Sequence, residues 1–248
     1  MIGSRNQPEP IILMTIMNSQ ENTVYKQALL RHFSGLVTEN RWNLFSRVSS
    51  ARTRYITVAI ENLYQSHNAS AVIRSCECFG VQDVHFIENE YEYQVNDEIA
   101  MGSDKWLDIH RYNAAETNTA ACLDLLKNQG YRLIATVPKP EAVSIYNFDV
   151  TKGKFALLFG TEKEGLSAEA LSMADEYLYI PMQGFTESFN ISVSAALCLF
   201  QLTHEVRTKV DWQLSENELL DLQLDWLKKS IKESGPIEQR FRKLFFGE

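Results

Sequence analysis

From Ile56 to Phe200 the apolar positions change period repeatedly. Short aliphatic or β-branched runs predict strands: ITVAIEN (56–62), DVHFIEN (83–89), YRLIATV (131–137), KFALLFG (154–160) and EYLYIPM (176–182). Between them lie segments with helical spacing. These are ASAVIRSCECF (69–79), closed by Gly80, a stretch from roughly Thr117 to Asn128 ending in NQG, another from about Ser167 to Ala174, and a helix starting near Asn190. Near-continuous apolar strands alternating with helices predict an α/β fold whose mostly parallel sheet is covered on both faces.

Helical patterns flank this core. Val24 to Arg47 carries Tyr25, Leu29, Leu30, Phe33, Trp42, Leu44 and Phe45 at helical spacing. Leu214 to Phe246 is helical again, with LLDLQLDWLKKSIKE expected to break at Gly235-Pro236 and resume as IEQRFRKLFF. The expected organisation is a disordered extension over 1–16 with Met17 as the natural initiator, a helical arm over 17–54, an α/β domain over 55–210 and a second arm over 211–248.

Composition narrows the function. A chain of 248 residues with a formal charge of −8 is not a broadly basic nucleic-acid binder, although local basic patches remain open to it. Cys76, Cys78, Cys122 and Cys198 form no CxxC pair and sit among apolar or small neighbours, which predicts buried free thiols and no metal site. IILMTIM lacks the flanks of a signal peptide, and no run is long enough to span a bilayer, so a cytoplasmic location is expected.

Three polar clusters stand at strand ends, where parallel sheets bind ligands. In ENLYQSHNASAVIRSCECFG, Asn68 precedes the helix as a candidate cap, and Arg74 is either a surface residue or a bidentate fork for phosphate or carboxylate. In LLFGTEKEGLS, Gly160 lets a ligand approach the backbone and Glu162 follows at the crevice edge, or the two glutamates simply flank a helix start. In IPMQGFTESFNISVSAALCLF, a cap explains one polar residue but not Thr186, Glu187, Ser188 and Asn190 together. The chain has no GxGxxG, GxxxxGK[ST] or GxSxG motif, which argues against a dinucleotide site, a P-loop and a hydrolase elbow.

In order and spacing, the three clusters resemble the three motifs of the SpoU (TrmH) class of RNA ribose 2′-O-methyltransferases. GSDKWLDI (102–109) and the two helical arms are similar to members that act on tRNA guanosine, and the resemblance runs from about Val24 to the C-terminus. It implies a SPOUT fold with a C-terminal deep trefoil knot, S-adenosyl-L-methionine as cofactor, and a homodimer in which Arg74 of one subunit faces the cofactor of the other. Carried over, the catalytic set is Arg74, Asn68, Glu162, Ser188 and Asn190. The cofactor would be held by Thr136, Gly160, Ile180, Met182, Ser188 and Phe189. Phe189 and Ile191 stand where the family usually has Leu and Val, so a reshaped adenosine pocket is expected.

Binding a polyanion requires Lys and Arg contacts to phosphate. Residues 41–60 hold Arg41, Arg47, Arg52 and Arg54 with no acidic residue, and the tail gathers Lys228, Lys229, Lys232, Arg240, Arg242 and Lys243. The implied partner is tRNA, most simply at a D-loop guanosine. A ribosomal-RNA 2′-O-methyltransferase and a non-catalytic RNA binder of the same fold are the alternatives.

Overall fold

In the computed structural model, which describes residues 19–93, 96–139 and 141–247, seven parallel strands form one sheet between two helical layers. The expected N-terminal extension and Met17 lie outside the described residues. In chain order the elements are α1 (Ser19–Ser34), α2 (Glu39–Ser49), β1 (Ile56–Glu61), α3 (Ser66–Phe79), β2 (Asp83–Ile87), α4 (Asp97–Ala100), β3 (Asp108–Tyr112) and α5 (Thr119–Asn128). There follow β4 (Arg132–Thr136), β5 (Val143–Ser144), β6 (Phe155–Phe159), α6 (Ala168–Met173), β7 (Glu176–Tyr179), α7 (Ile191–Lys209), α8 (Glu216–Ser230) and α9 (Ser234–Phe246).

The strand order is β3-β2-β1-β6-β4-β7-β5. The chain therefore builds outward from β1 to β3, crosses back, and inserts β6 between β1 and β4. Such a reversal leaves a crevice at the carboxyl ends of the strands.

Side chains of the central strands alternate between two apolar clusters, one on each face of the sheet. Ile56, Val58 and Ile60 of β1 join Phe155, Leu157 and Phe159 of β6 and the buried faces of α3 and α7 in one apolar cluster. Ala59, Ala156 and Leu158 point the other way, towards Cys122, Leu123 and Leu126 of α5 and Ala170 of α6. Both β1 and β6 are buried at every residue, as their near-continuous apolar runs predicted.

The chain forms two compact units. Asn40–Leu219 contains the sheet, whereas the described residues up to Glu39 and those from Leu220 onward are helical. Within the helical unit, Tyr25 packs on Phe241, Phe245 and Phe246, and His32 stacks on Phe241.

Local corrections have plain causes. The N-terminal helical pattern is two helices, split around Gly35. The C-terminal break falls at 231–233, where Glu233 is left-handed, and Pro236 sits in the first turn of α9, where its missing N–H costs nothing. Cys78 is exposed while Cys76, Cys122 and Cys198 are buried, because residues two apart on a helix face opposite ways. Among the described residues no helix is long and apolar enough to cross a membrane.

A partly buried polar network links Arg54 to side chains of β2 and β3. Asp83 accepts hydrogen bonds from Arg54 Nε and, at 2.8 Å, pairs with His110 Nε2, while His85 Nδ1 and the Tyr112 hydroxyl are 3.0 Å apart. Burial pushes His85 down to about 4, assisted by the neighbouring His110. Burial raises the Asp83 carboxyl, but the His110 hydrogen bond and the Arg54 charge outweigh it and hold it below its ordinary range.

Both shifts act in one direction. The unfolded chain takes up a proton at His85 before the folded chain does, and the stabilisation from ionised Asp83 is lost as pH falls. Stability is therefore expected to be flat above pH 7 and to drop by about 2 kcal/mol from His85 alone by pH 5. Urea unfolding across pH 5–8, repeated with His85→Gln, checks this: an equally steep acid slope in the variant removes His85 as its source.

Candidate active site

Three polar side chains from three distant motifs meet at one point. Asn68 Nδ2 donates to Glu162 Oε1 at 2.8 Å, and Asn190 Nδ2 donates both to that same oxygen and to Asn68 Oδ1, the latter at 3.2 Å. A further bond from Asn68 Nδ2 to Gln65 Oε1, 3.0 Å, completes the amide's partners. Asn68 is 2% exposed, so its orientation is fixed by these bonds and not by solvent.

Each member is placed by its element. Helix α3 begins at Ser66, not at Ala69, so Asn68 is not its cap: the capping position is Gln65, which makes no side-chain capping bond. Asn68 instead turns inward from the first helical turn. Asn190 does cap α7, its Oδ1 accepting from Ser192 N at 2.9 Å, while its amide nitrogen remains available to Asn68 and Glu162. One side chain thus serves as both cap and bridge.

Glu162 is carried on a tight loop. Thr161 and Gly165 exchange backbone hydrogen bonds of 3.0 Å in both directions, and Glu164 N donates to Thr161 Oγ1. The loop folds back on Gly160 so closely that a Cβ there would lie 2.0 Å from the carbonyl carbon of Gly165. Gly165 itself is left-handed, with φ at 73°.

Behind the loop stands a buried carboxylate that the sequence patterns did not single out. Glu61, 3% exposed at the end of β1, accepts from Thr119 Oγ1 at 2.6 Å, Ser167 Oγ at 2.7 Å and Ser167 N at 2.8 Å. It ties the starts of α5 and α6 to the end of the central strand. The clue in the sequence was an acidic residue closing an apolar run, but its partners lie 58 and 106 residues away.

A cleft of about 430 Å³ opens beside this cluster at the carboxyl ends of β4, β6 and β7. Thr136, Gly160, Ile180, Met182, Ser188 and Phe189 all line it, as does Glu162. Leu178, Ile180, Met182 and Phe189 form an apolar wall, and Glu162, Glu164 and Glu187 outnumber Lys139 and Lys163. Such a lining suits a flat apolar ring joined to a positively charged group.

The basic candidates divide. Arg41 and Arg47 are exposed on α2, with Arg41 lying over the rings of Phe45 and Trp106. Arg52 and Arg54 are not free to meet phosphate. Arg52 is 1% exposed and pairs with Glu77, and Arg54 is held by Asp83 and Asp108. Lys228 pairs with Glu238 and Lys229 with Asp225. Arg74 does not join the Asn68 cluster: it is exposed, on another face of α3.

The SpoU rRNA methylase family model matches residues 55–200. A tRNA (guanosine(18)-2′-O)-methyltransferase of Borreliella burgdorferi is 37% identical over 83% of this chain and 92% of its own length. The solved TrmH/SpoU tRNA modifying enzyme of A. aeolicus superposes with a TM-score of 0.69 at 28% identity, covering 79% of this chain and 98% of that one. An AdoMet-bound rRNA methyltransferase from Sinorhizobium meliloti shares the fold, with a TM-score of 0.53 at 21% identity, over 66% of this chain and 61% of its own.

Proposed function

The chain belongs to the SpoU rRNA methylase family, and from that membership we propose that it is a tRNA 2′-O-ribose methyltransferase acting on a guanosine, the one its relatives' name places at position 18. The observation that carries the reading is the convergence of Asn68, Glu162 and Asn190 beside a cleft of the right lining. A pure RNA binder has no use for an amide–carboxylate cluster anchored on a buried Asn68 at a strand end.

The cleft fits S-adenosyl-L-methionine, which when bound supplies an electrophilic methyl group on a sulfonium. The apolar wall would take the adenine, and the surplus of carboxylates would face the cationic groups. Loops after β4, β6 and β7 would hold it largely through backbone, with Thr136, Gly160 and Ile180 to Met182 in contact and Ser188 and Phe189 closing the pocket. In this reading β6 and β7, inserted between earlier strands, and the polypeptide from them into α7 are threaded as a deep trefoil knot.

Asn68 and Asn190 clamp Glu162, so that the ribose 2′-oxygen meets a fixed polar wall. Alignment of this kind is worth several kcal/mol of barrier, on the order of 7 or more where the geometry is near attack. A guanidinium keeps its charge and is a poor base, so Arg74 acts as a phosphate clamp that lowers the hydroxyl's pKa. Arg74 of one subunit reaches the site of the other in a homodimer. Support for that pairing comes from α7, which exposes Val193, Leu197 and Phe200 along one stripe. Arg41 and Arg47 would contact the RNA backbone as part of the N-terminal helical arm.

Transfer of a labelled methyl group from S-adenosylmethionine to unmodified tRNA, followed by digestion and nucleoside mass spectrometry, tests the reading. The expected product is 2′-O-methylguanosine. Transfer to ribosomal RNA alone would move the substrate, and no transfer to either overturns the enzyme. Arg74→Lys is expected to retain partial RNA binding while turnover falls by about tenfold, because a point charge replaces a bidentate fork. Near-normal turnover would refute the clamp.

A further inference from the structure

A second cleft, of about 270 Å³, shares Thr161, Glu162, Lys163 and Glu164 with the first. Asn68 also lines it, so the hydrogen-bonded pair of Asn68 and Glu162 stands in the wall between the two spaces. On its rim are two tyrosines whose rings meet edge to face at 4.9 Å, Tyr64 and Tyr91. Tyr64 is 73% exposed and Tyr91 39%. Two aromatic rings held together in solvent bury little apolar surface, so the folded core does not account for them.

Their placement is nevertheless fixed. Asn62, at the end of β1, adopts a left-handed conformation with φ at 58°, and its Oδ1 accepts from Glu90 N at 2.7 Å and Tyr91 N at 3.2 Å. A non-glycine residue in that region carries strain, which persists where the surroundings over-determine it. Here it locks the 90–91 turn onto the segment that carries Tyr64.

The lining selects the occupant. Glu90, Glu162 and Glu164 face one cation, Lys163, which disfavours phosphate and favours an uncharged ring bearing N–H donors. A guanine presents two such donor groups on one edge, the ring N1–H and the 2-amino group, whereas adenine presents one amino group there. Single-stranded RNA bases are recognised in this manner, stacked on aromatic side chains and bonded along an edge.

We propose that the second cleft receives the base of the nucleotide being methylated, stacked on Tyr64 and Tyr91, with Glu90 accepting from the donor edge of a guanine. The inference rests on the methyltransferase reading and extends it to base selection. The ribose of that nucleotide then falls at the Asn68–Glu162 wall, between base and methyl donor.

The test is steady-state methyl transfer to tRNA transcripts by the full chain and by Tyr64→Ala, Tyr91→Ala, Tyr64→Phe and Glu90→Gln. Loss of one stacking ring is expected to lower kcat/KM for tRNA by about thirtyfold. The affinity for S-adenosylmethionine, read by calorimetry, is expected to hold, since neither tyrosine lines the first cleft. Tyr64→Phe restores most of the loss. Glu90→Gln narrows the preference for a target guanosine over an inosine, which lacks the 2-amino group. An active wild-type chain whose Tyr64→Ala/Tyr91→Ala double variant, folded by circular dichroism, stays within about threefold of it overturns the base site alone. A wild-type chain that methylates no RNA overturns the underlying function as well.

Discussion

Asn68→Ala is expected to lower kcat/KM for tRNA methylation by about a hundredfold while the chain stays folded at the assay temperature. The side chain is buried and makes three of the bonds that fix the site: to Glu162, to Gln65 and from Asn190. Removing it strips a donor from a carboxylate, and hydrogen bonds to charged groups contribute about 1.5–3 kcal/mol each. Glu162 would then be held by Asn190 alone, and the wall between the two clefts would lose its fixed shape. The loss is expected mainly in kcat, because neither the apolar wall of the cofactor cleft nor the exposed Arg41 and Arg47 depends on Asn68. Single-turnover kinetics with thermal unfolding as a control measures it; a folded Asn68→Ala variant within threefold of wild type would sink the role given to the cluster.

Gly160→Ala is expected to abolish most S-adenosylmethionine binding, with affinity down by about a hundredfold. The added methyl group would lie 2.0 Å from Gly165 C, 2.1 Å from its oxygen and 2.2 Å from Leu166 N, all of them backbone atoms that cannot rotate away. Overpacking of this kind costs about 1–3 kcal/mol even where side chains can yield. Here the reciprocal Thr161–Gly165 bonds must open, and with them the loop that carries Glu162. Gly165→Ala supplies the comparison. It meets nothing within 4 Å, so its cost is that of a left-handed residue, about 1–2 kcal/mol, and the affinity loss is expected to be nearer tenfold. Calorimetry on the two variants should rank them in that order; equal affinities would show that steric closure at Gly160 is not what shapes the cleft.

How far the chain could be read in advance depended on where each signal is stored. Strands β1, β2, β4, β6 and β7 were legible because each carries a short aliphatic, β-branched or aromatic run, as strands packed between helical layers do. Strand β3 was not, since an edge position lets Asp108, His110 and Arg111 stand half exposed in a run with no apolar period. The RNA-contact reading of Arg52 and Arg54 failed for a related reason. A cluster of arginines without nearby acids looks unpaired along the chain, but Glu77, Asp83 and Asp108 lie 25, 29 and 54 residues further on.

The amino-acid sequence by itself determined the α/β alternation, the two faces of the sheet and the residue types at three strand ends, because period and turn chemistry are local properties of the chain. It also left the polar string at Thr186, Glu187, Ser188 and Asn190 larger than a cap explains, and the family resemblance of its motifs grouped Asn190 with Asn68 and Glu162. Only the tertiary structure decided that these three share one hydrogen-bonded centre, that Glu61 braces it from behind, that Gly160 is excluded from carrying a side chain, and that Tyr64 and Tyr91 meet across a second cleft. Hydrogen bonds and steric exclusion act over a few ångströms, between groups that the sheet order brings together from opposite ends of the domain, and no periodicity along the chain encodes that distance.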